Sequence, residues 1–340
     1  MEEVRIRQAR RRTFVAHASA LGAASLLGLH RVASAEPPPE ITKIRLVHVP
    51  AICLAPQYLA EELLRLEGFT QIEYVPVGGN VDPVNTAASG QADISMDGVT
   101  GMLPLLDNGR PVVILGGVHG GCYELFGNEQ VSTIRDLKGK RVAIIGRSSE
   151  EYIYLASILA YVGMDPRKDV DWIATGDFNV PPQLFIDGKV DAFLGFPPQP
   201  QQVRVKKIGH VVLNTGQDKP WSQHFCCMIA GHREFVRKHP VATKRAIRAF
   251  LKAADICARE PELAAKYMVK KGYEGSYDIA LEVVNEVSYN AWRLFNPEDT
   301  LRFHALRLRE VGMIKSTPQT IIAQGTDWCF LNELKKELKA

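Results

Sequence analysis

The chain has 340 residues, 46% of them hydrophobic and 23% charged, which supports a large buried core and about two domain-sized units. The formal charge of +3 misleads, because residues 1–35 hold six Arg and two Glu; that segment carries +4 and the remainder −1. No basic stripe survives beyond it, so nucleic acid is excluded as an expected partner.

The first 35 residues read as an export signal. A basic start leads into a mildly apolar stretch that ends in small residues, Ala33-Ser34-Ala35, with cleavage expected near Ala35 and a periplasmic destination. His17 and the many Ala and Gly make the stretch too weak for a membrane anchor. Arg11-Arg12-Thr13-Phe14-Val15 resembles the twin-arginine signal, which implies export after folding; Arg10 stands where that signal usually has a small polar residue.

After the Pro-rich linker, strand and helix patterns alternate. Residues 43–49 alternate like a strand, 56–68 have helical spacing with Pro56 early and Gly68 closing, and 71–77 are strand-like. A helix starts at Asp82-Pro83 and ends at Gly90, a short buried strand follows at 92–95, a helix at 98–109 and a strand at 111–118. A second pass begins at "LKGKRVAIIG", with strand 141–145, helix 149–162, strand 170–174, helix 180–188, and strands 190–196 and 210–214. Such alternation argues for α/β architecture with largely parallel sheets covered on both faces.

The two passes echo each other. Gly90-x-x-Asp93-apolar recurs as Gly188-x-x-Asp191-apolar, and in each the next long strand begins 22 positions after the Gly. The Gly can end a helix in a left-handed turn, and the Asp stands at the entry of a buried strand. Two similar lobes explain the repetition. From 224 one more strand is followed by helices at 232–239, 241–259, 262–271, 277–293, 299–311 and near the C-terminus. The expected organisation is a first lobe at 36–123, a second at 124–216, and a return to the first over 217–340 as a strand plus helical tail. Two crossings make a hinge, and hinged lobes can close on a ligand.

Ligands in open α/β sheets sit beyond the strand carboxyl ends, near helix N-termini. The loop after strand 43–49 brings Cys53 and Gln57 into consideration. Asp97 is either a helix cap or a contact for a ligand N–H, with Gly98 and Thr100 as donors beside it. His119 can hydrogen-bond a ligand or fill the crossing. In the second lobe Ser148 and Ser149 are caps or ligand donors, and Arg147 pairs with a ligand acid group or is a solvated charge. Phe196 and Phe225 stack on a ring or belong to the core, and Trp221 is a further candidate aromatic. The spacing of the six Cys gives no CxxC and no zinc-ligand set, so neither metal nor cofactor is expected. Cys226-Cys227 read as small core residues, and Cys53–Cys122 is the disulfide to check. "GGVHGG" lacks the nucleotide-binding patterns.

"GQADISMDG", "IRDLKGKRVAIIGRSSEEYIYL", "DGKVDAFLG" and "GHREFVRKHP" resemble the periplasmic solute-binding proteins of the nitrate/sulfonate/taurine class of ABC importers, which includes thiamine-pyrimidine-precursor binders. The resemblance covers most of 41–300. It implies a two-lobed, type II periplasmic-binding-protein (venus-flytrap) fold, a monomer that delivers a small-molecule solute to an ABC permease and its ATPase, and no catalysis. Two departures stand out. Asp97-Gly98 stands where the family often has Ser-Gly or Thr-Gly, and Glu151 falls where it often has His. Acidic groups at both helix starts oppose a bare anion such as nitrate. They favour a solute with N–H donors, a sulfonate- or taurine-like zwitterion held by Arg147 and Asp97 or a nitrogen heterocycle. The thiamine-pyrimidine synthases of the same fold use three consecutive Cys, against the two here, and a sensing subunit of this fold would look alike in sequence.

Overall fold

The computed structural model describes residues 36–49, 51–77 and 83–339; the export signal and the Asp82 helix start lie outside them. The chain divides into Met1–Pro37 and Pro38–Ala340, and all that follows concerns the second unit.

In chain order the elements are β1 (Lys43–His48), α1 (Ala55–Leu66), β2 (Gln71–Pro76), α2 (Pro83–Ala88), β3 (Ile94–Gly98), α3 (Val99–Asp107), β4 (Val112–Gly120) and β5 (Glu124–Gly127). Then come β6 (Arg141–Ile144), α4 (Glu150–Tyr161), β7 (Asp171–Ala174), α5 (Val180–Ile186), β8 (Ala192–Gly195), α6 (Gln199–Lys206), β9 (His210–Asn214) and β10 (Phe225–His232). The helical tail holds α7 (Arg233–Lys238), α8 (Pro240–Arg259), α9 (Pro261–Lys270), α10 (Tyr277–Glu286), α11 (Ala291–Leu294), α12 (Pro297–Glu310), α13 (Pro318–Gly325) and α14 (Cys329–Glu337).

The strands form two sheets of five, ordered β2-β1-β3-β10-β4 and β7-β6-β8-β5-β9. The wiring is the same in both. Three parallel strands are followed by one antiparallel strand, which pairs on its far side with the last member. The antiparallel strand of each sheet is reached by crossing from the other: β4 leads into β5, and β9 leads into β10. The crossings run side by side. Thr215 N donates to Tyr123 O at 2.9 Å, and Tyr123 N donates to Thr215 Oγ1 at 2.9 Å.

The repeated Gly-x-x-Asp does the same work in each sheet. Gly90 and Gly188 close α2 and α5 at φ +77° and +67°, a left-handed geometry that glycine adopts without a Cβ clash. Three residues later the Asp grips an Arg at the start of the neighbouring strand. Asp93 Oδ2 accepts from Arg45 N at 2.8 Å, and Asp93 Oδ1 from its Nη2 at 2.6 Å. Asp191 Oδ2 accepts from Arg141 N at 2.9 Å, and Asp191 Oδ1 from its Nη2 at 2.9 Å. Each carboxylate satisfies a strand-edge N–H and a guanidinium fork together.

Some expected elements differ. The single helix at 277–293 is broken: α10 stops at Glu286, because Ser288 O accepts from Gly120 N at 3.2 Å and Tyr289 turns inward against the His119 ring. The stretch read as the loop "FPPQP" runs directly into α6, β5 is a strand with no separate sequence signal, and the C-terminus carries two helices where one was expected.

Asp191→Ala is expected to destabilise the protein by about 1–3 kcal/mol in urea unfolding, since Arg141 and its backbone N–H lose their partner. The Arg141 guanidinium, with burial opposing, holds the Asp191 carboxyl below its usual range. Its contribution is therefore present above the unfolded carboxyl pKa of about 3.9 and is lost as pH falls through the folded value. The gap between Asp191→Ala and wild type is expected to narrow when the urea series is repeated below about pH 4.

Candidate functional site

A cavity of about 170 Å³ opens where loops from the carboxyl ends of both sheets meet. The first sheet supplies Cys53 from a short turn after β1, Asp97 and Gly98 from the end of β3, and Cys227 from β10; Cys122 and Tyr123 come from the crossing. The second sheet supplies Ser149, Glu150 and Glu151 from the start of α4, with Phe178 and Phe196 from the loops after β7 and β8. A cavity of about 150 Å³ holds benzene, and drug-sized ligands need about 300 Å³ or more, so this one suits a molecule the size of a single ring.

The central contact spans the two sheets. Val99–Asp107 begins without a side-chain cap of its own, because its N-cap is Gly98. Asp97, weighed from sequence as that cap, instead lies within β3 opposite Met228. The cap comes from Glu150. Its Oε1 accepts from Thr100 Oγ1 at 2.7 Å and from Thr100 N at 3.3 Å, and its Oε2 accepts from Gly101 N. The carboxylate is buried and occupies the position where a helix N-terminus would hold an external anion. Gly98 makes room for it: a Cβ there would overlap the Glu150 carboxyl group.

Glu151, next along, turns back on its own loop and accepts from Ile145 N at 2.8 Å, with Ser149 Oγ 2.5 Å from the same oxygen. Asp97, Glu150 and Glu151 all line the cavity, and among the described lining residues there is no Lys, Arg or His. Burial, reinforced by the nearby Glu150 charge, pushes the Tyr123 phenol well above its usual pKa, so it stays a neutral hydroxyl. Phe196 packs edge-on against Tyr123 and Phe178, with ring centroids at 5.6 and 4.6 Å, and completes an aromatic wall.

Of the residues predicted from sequence, Cys53, Asp97, Gly98, Ser149 and Phe196 are brought together around the cavity. Thr100 stands one layer behind, bound to Glu150, and Gln57 is buried with its Nε2 donating to Val47 O at 2.8 Å. His119 is buried in β4, its Nδ1 2.7 Å from Gly120 O. Arg147 and Ser148 are exposed; the Arg147 guanidinium lies over the Tyr152 ring and is not among the residues that line the cavity. Trp221 packs against Tyr161 at the far end of α4, and Phe225 is buried against Phe295. Sequence reasoning passed over Tyr123, Phe178 and Cys227, which carry no motif and become neighbours only through the crossings.

The cysteines also differ from expectation. All six are free, and Cys53 does not pair with Cys122. Cys122 Sγ instead lies 3.3 Å from Cys226 Sγ, which is 3.9 Å from Cys227 Sγ. Hydrogen bonds from Cys122 and Cys227 hold the Cys53 thiol well below its usual pKa. Burial pushes the Cys122 thiol up, and it remains a donor.

The NMT1/THI5-like family model matches residues 66–264. The chain belongs to that family. No curated protein sequence matches it. Among solved structures it is similar to a protein of Bordetella bronchiseptica at TM-score 0.73 and 16% identity, covering 89% of this chain and 100% of that one. The periplasmic nitrate-binding protein NrtA from Synechocystis aligns at TM-score 0.70 and 18% identity over 89% and 90% of the two chains. The alkanesulfonate-binding protein SsuA from Xanthomonas axonopodis bound to MOPS aligns at 0.67 and 17%, over 87% and 100%. The fold is that of periplasmic solute-binding proteins, and within it the cavity of this family member carries three carboxylates.

A double-mutant cycle tests the Glu150 contact. Glu150→Ala and Thr100→Ala are each expected to lower stability, and their coupling energy is expected at about 1.5–3 kcal/mol, the range for a hydrogen bond to a charged group. Additivity of the two would show that the carboxylate is not seated on Thr100.

Proposed function

We propose that the protein is the solute-binding component of an ABC importer and captures a small nitrogen-bearing organic solute in this cavity without altering it. The observation that carries the reading is the lining: Asp97, Glu150 and Glu151 with no basic side chain among the described lining residues, closed by Phe178, Phe196 and Tyr123. Carboxylates accept from N–H groups, and an aromatic wall accepts a flat or cationic body. The α3 N-terminus, where a free oxyanion would bind, already holds Glu150. A nitrogen heterocycle or an amine fits these partners. Arg147 faces Tyr152, which leaves the acid half of a zwitterion without a cation to pair with.

In this reading residues 36–123 with 217–340 form one lobe and 124–216 the other, and the paired strand crossings are the hinge. The closed state is held by Glu150 and by Arg204 of α6, which donates to Glu282 and Glu286 of α10 at 2.8 Å. Residues 1–35 direct export to the periplasm, where the closed monomer docks on a permease that its ATPase drives. The family match and the likeness in fold to the nitrate- and alkanesulfonate-binding proteins support the carrier role over catalysis.

A thermal-shift panel of amines, nitrogen heterocycles, nitrate and alkanesulfonates tests the reading. A true solute at a hundred times its Kd stabilises by about 2.7 kcal/mol, and Asp97→Asn is expected to weaken its binding about tenfold or more. Tight binding of nitrate or a simple sulfonate, with none for nitrogenous solutes, would overturn it.

A further inference from the structure

Behind the cavity wall, five metal-ligating side chains converge from four segments. Cys53 lies on the turn after β1, His119 on β4, Cys122 at the crossing, and Cys226 and Cys227 on β10, where Cys227 is the cross-strand partner of His119. The donor atoms of Cys53, His119 and Cys122 lie within 4.8 Å of one another, as do those of His119, Cys226 and Cys227. His119 therefore stands at the centre of both groups. In a tetrahedral site with metal–sulfur bonds of about 2.3 Å, neighbouring sulfurs are about 3.8 Å apart. The 3.3 and 3.9 Å separations around Cys226 bracket that spacing.

The imidazole is oriented for ligation. Gly120 O can only accept, so His119 Nδ1 is the ring's N–H donor, and the lone pair is on Nε2. Nε2 is fully buried beside the Cys53 thiol, with which the ring shares its other hydrogen bond. Donation of the other ring nitrogen to a backbone carbonyl is the usual arrangement of a metal-bound histidine. Thiolates with one imidazole and no carboxylate among them are a soft donor set, which selects Cu(I) or Zn(II) over Mg(II), Ca(II) or Mn(II).

We propose that Cys53, His119, Cys122, Cys226 and Cys227 form a binding site for one thiophilic metal ion, Cu(I) or Zn(II), in the wall of the cavity. The ion is held by His119 Nε2 and three of the four sulfurs. It displaces thiol protons into solvent and replaces the Cys53 S–H as the partner of the buried ring nitrogen. Cys53, Cys122 and Cys227 also face the cavity, so the ion lies at its edge. The site does not depend on which solute the cavity takes: Asp97→Asn is expected to weaken the solute and to leave metal content unchanged, so the two readings fail separately.

The test loads full-length mature protein anaerobically, under reductant, with Zn(II) alone or Cu(I) alone, then desalts it and measures metal per chain. Wild type, Cys257→Ser and Cys329→Ser are expected to retain one ion, because those two cysteines lie in α8 and α14 outside the cluster. His119→Gln and Cys226→Ser, checked for folding by circular dichroism, are expected to bind at least about tenfold more weakly. X-ray absorption on loaded wild type needs no variant and is expected to give sulfur at about 2.3 Å with nitrogen at about 2.0 Å. Wild type that keeps no metal, a shell of nitrogen and oxygen alone, or retention undiminished in both folded variants would each overturn the proposal. So would a Cys122–Cys226 disulfide that persists under reductant and blocks loading.

Discussion

The Glu150 carboxylate belongs to one sheet's helix and completes a helix of the other. It starts α4, yet its oxygens take the N–H groups of Thr100 and Gly101 and the Thr100 hydroxyl at the start of α3. Removing a carboxylate from water costs several kcal/mol, and the seat has to return that through charge-assisted hydrogen bonds and the positive end of the α3 dipole. Once Glu150 is in place the rest of the site follows. The anion position is filled from within, Gly98 is required for lack of a Cβ, and the space that remains is lined by Asp97, Glu151 and aromatic rings.

Two identically wired sheets make such a contact possible. Each sheet ends its parallel strands in a loop that starts a helix, and the crossings bring those ends face to face. The Arg45–Asp93 and Arg141–Asp191 clamps fix the opposite, entering end of the same strands. Sheet rigidity is thus set at one edge and ligand chemistry at the other. This separation lets the loops carry acids and thiols without loss of the framework.

Much of this framework was legible in the sequence because it is local. Gly90-x-x-Asp93 and Gly188-x-x-Asp191 announce a helix end and a strand entry within four residues, whereas their Arg partners, 48 and 50 residues away, could not be read from spacing. The α10 break was not legible, since it depends on Gly120 reaching Ser288 from a distant strand. The site was half legible. Helix starts point to Asp97 and Ser149, and the acidic pair Glu150-Glu151 could be seen; which helix Glu150 would cap could not, because its partners are 50 residues away. The cysteine cluster was hidden for the same reason. Spacing rules look for ligands close in sequence, and here Cys122 and Cys226 are 104 residues apart.

The measurement that bears most directly on this account is calorimetric titration of methanesulfonate into wild type and Glu150→Ala. With its own carboxylate seated on α3, wild type should give no binding heat. Glu150→Ala, with Thr100 and Gly101 left as open donors, should gain a site for the oxyanion. Methanesulfonate binding by wild type, or a folded Glu150→Ala protein that gains none, would contradict it.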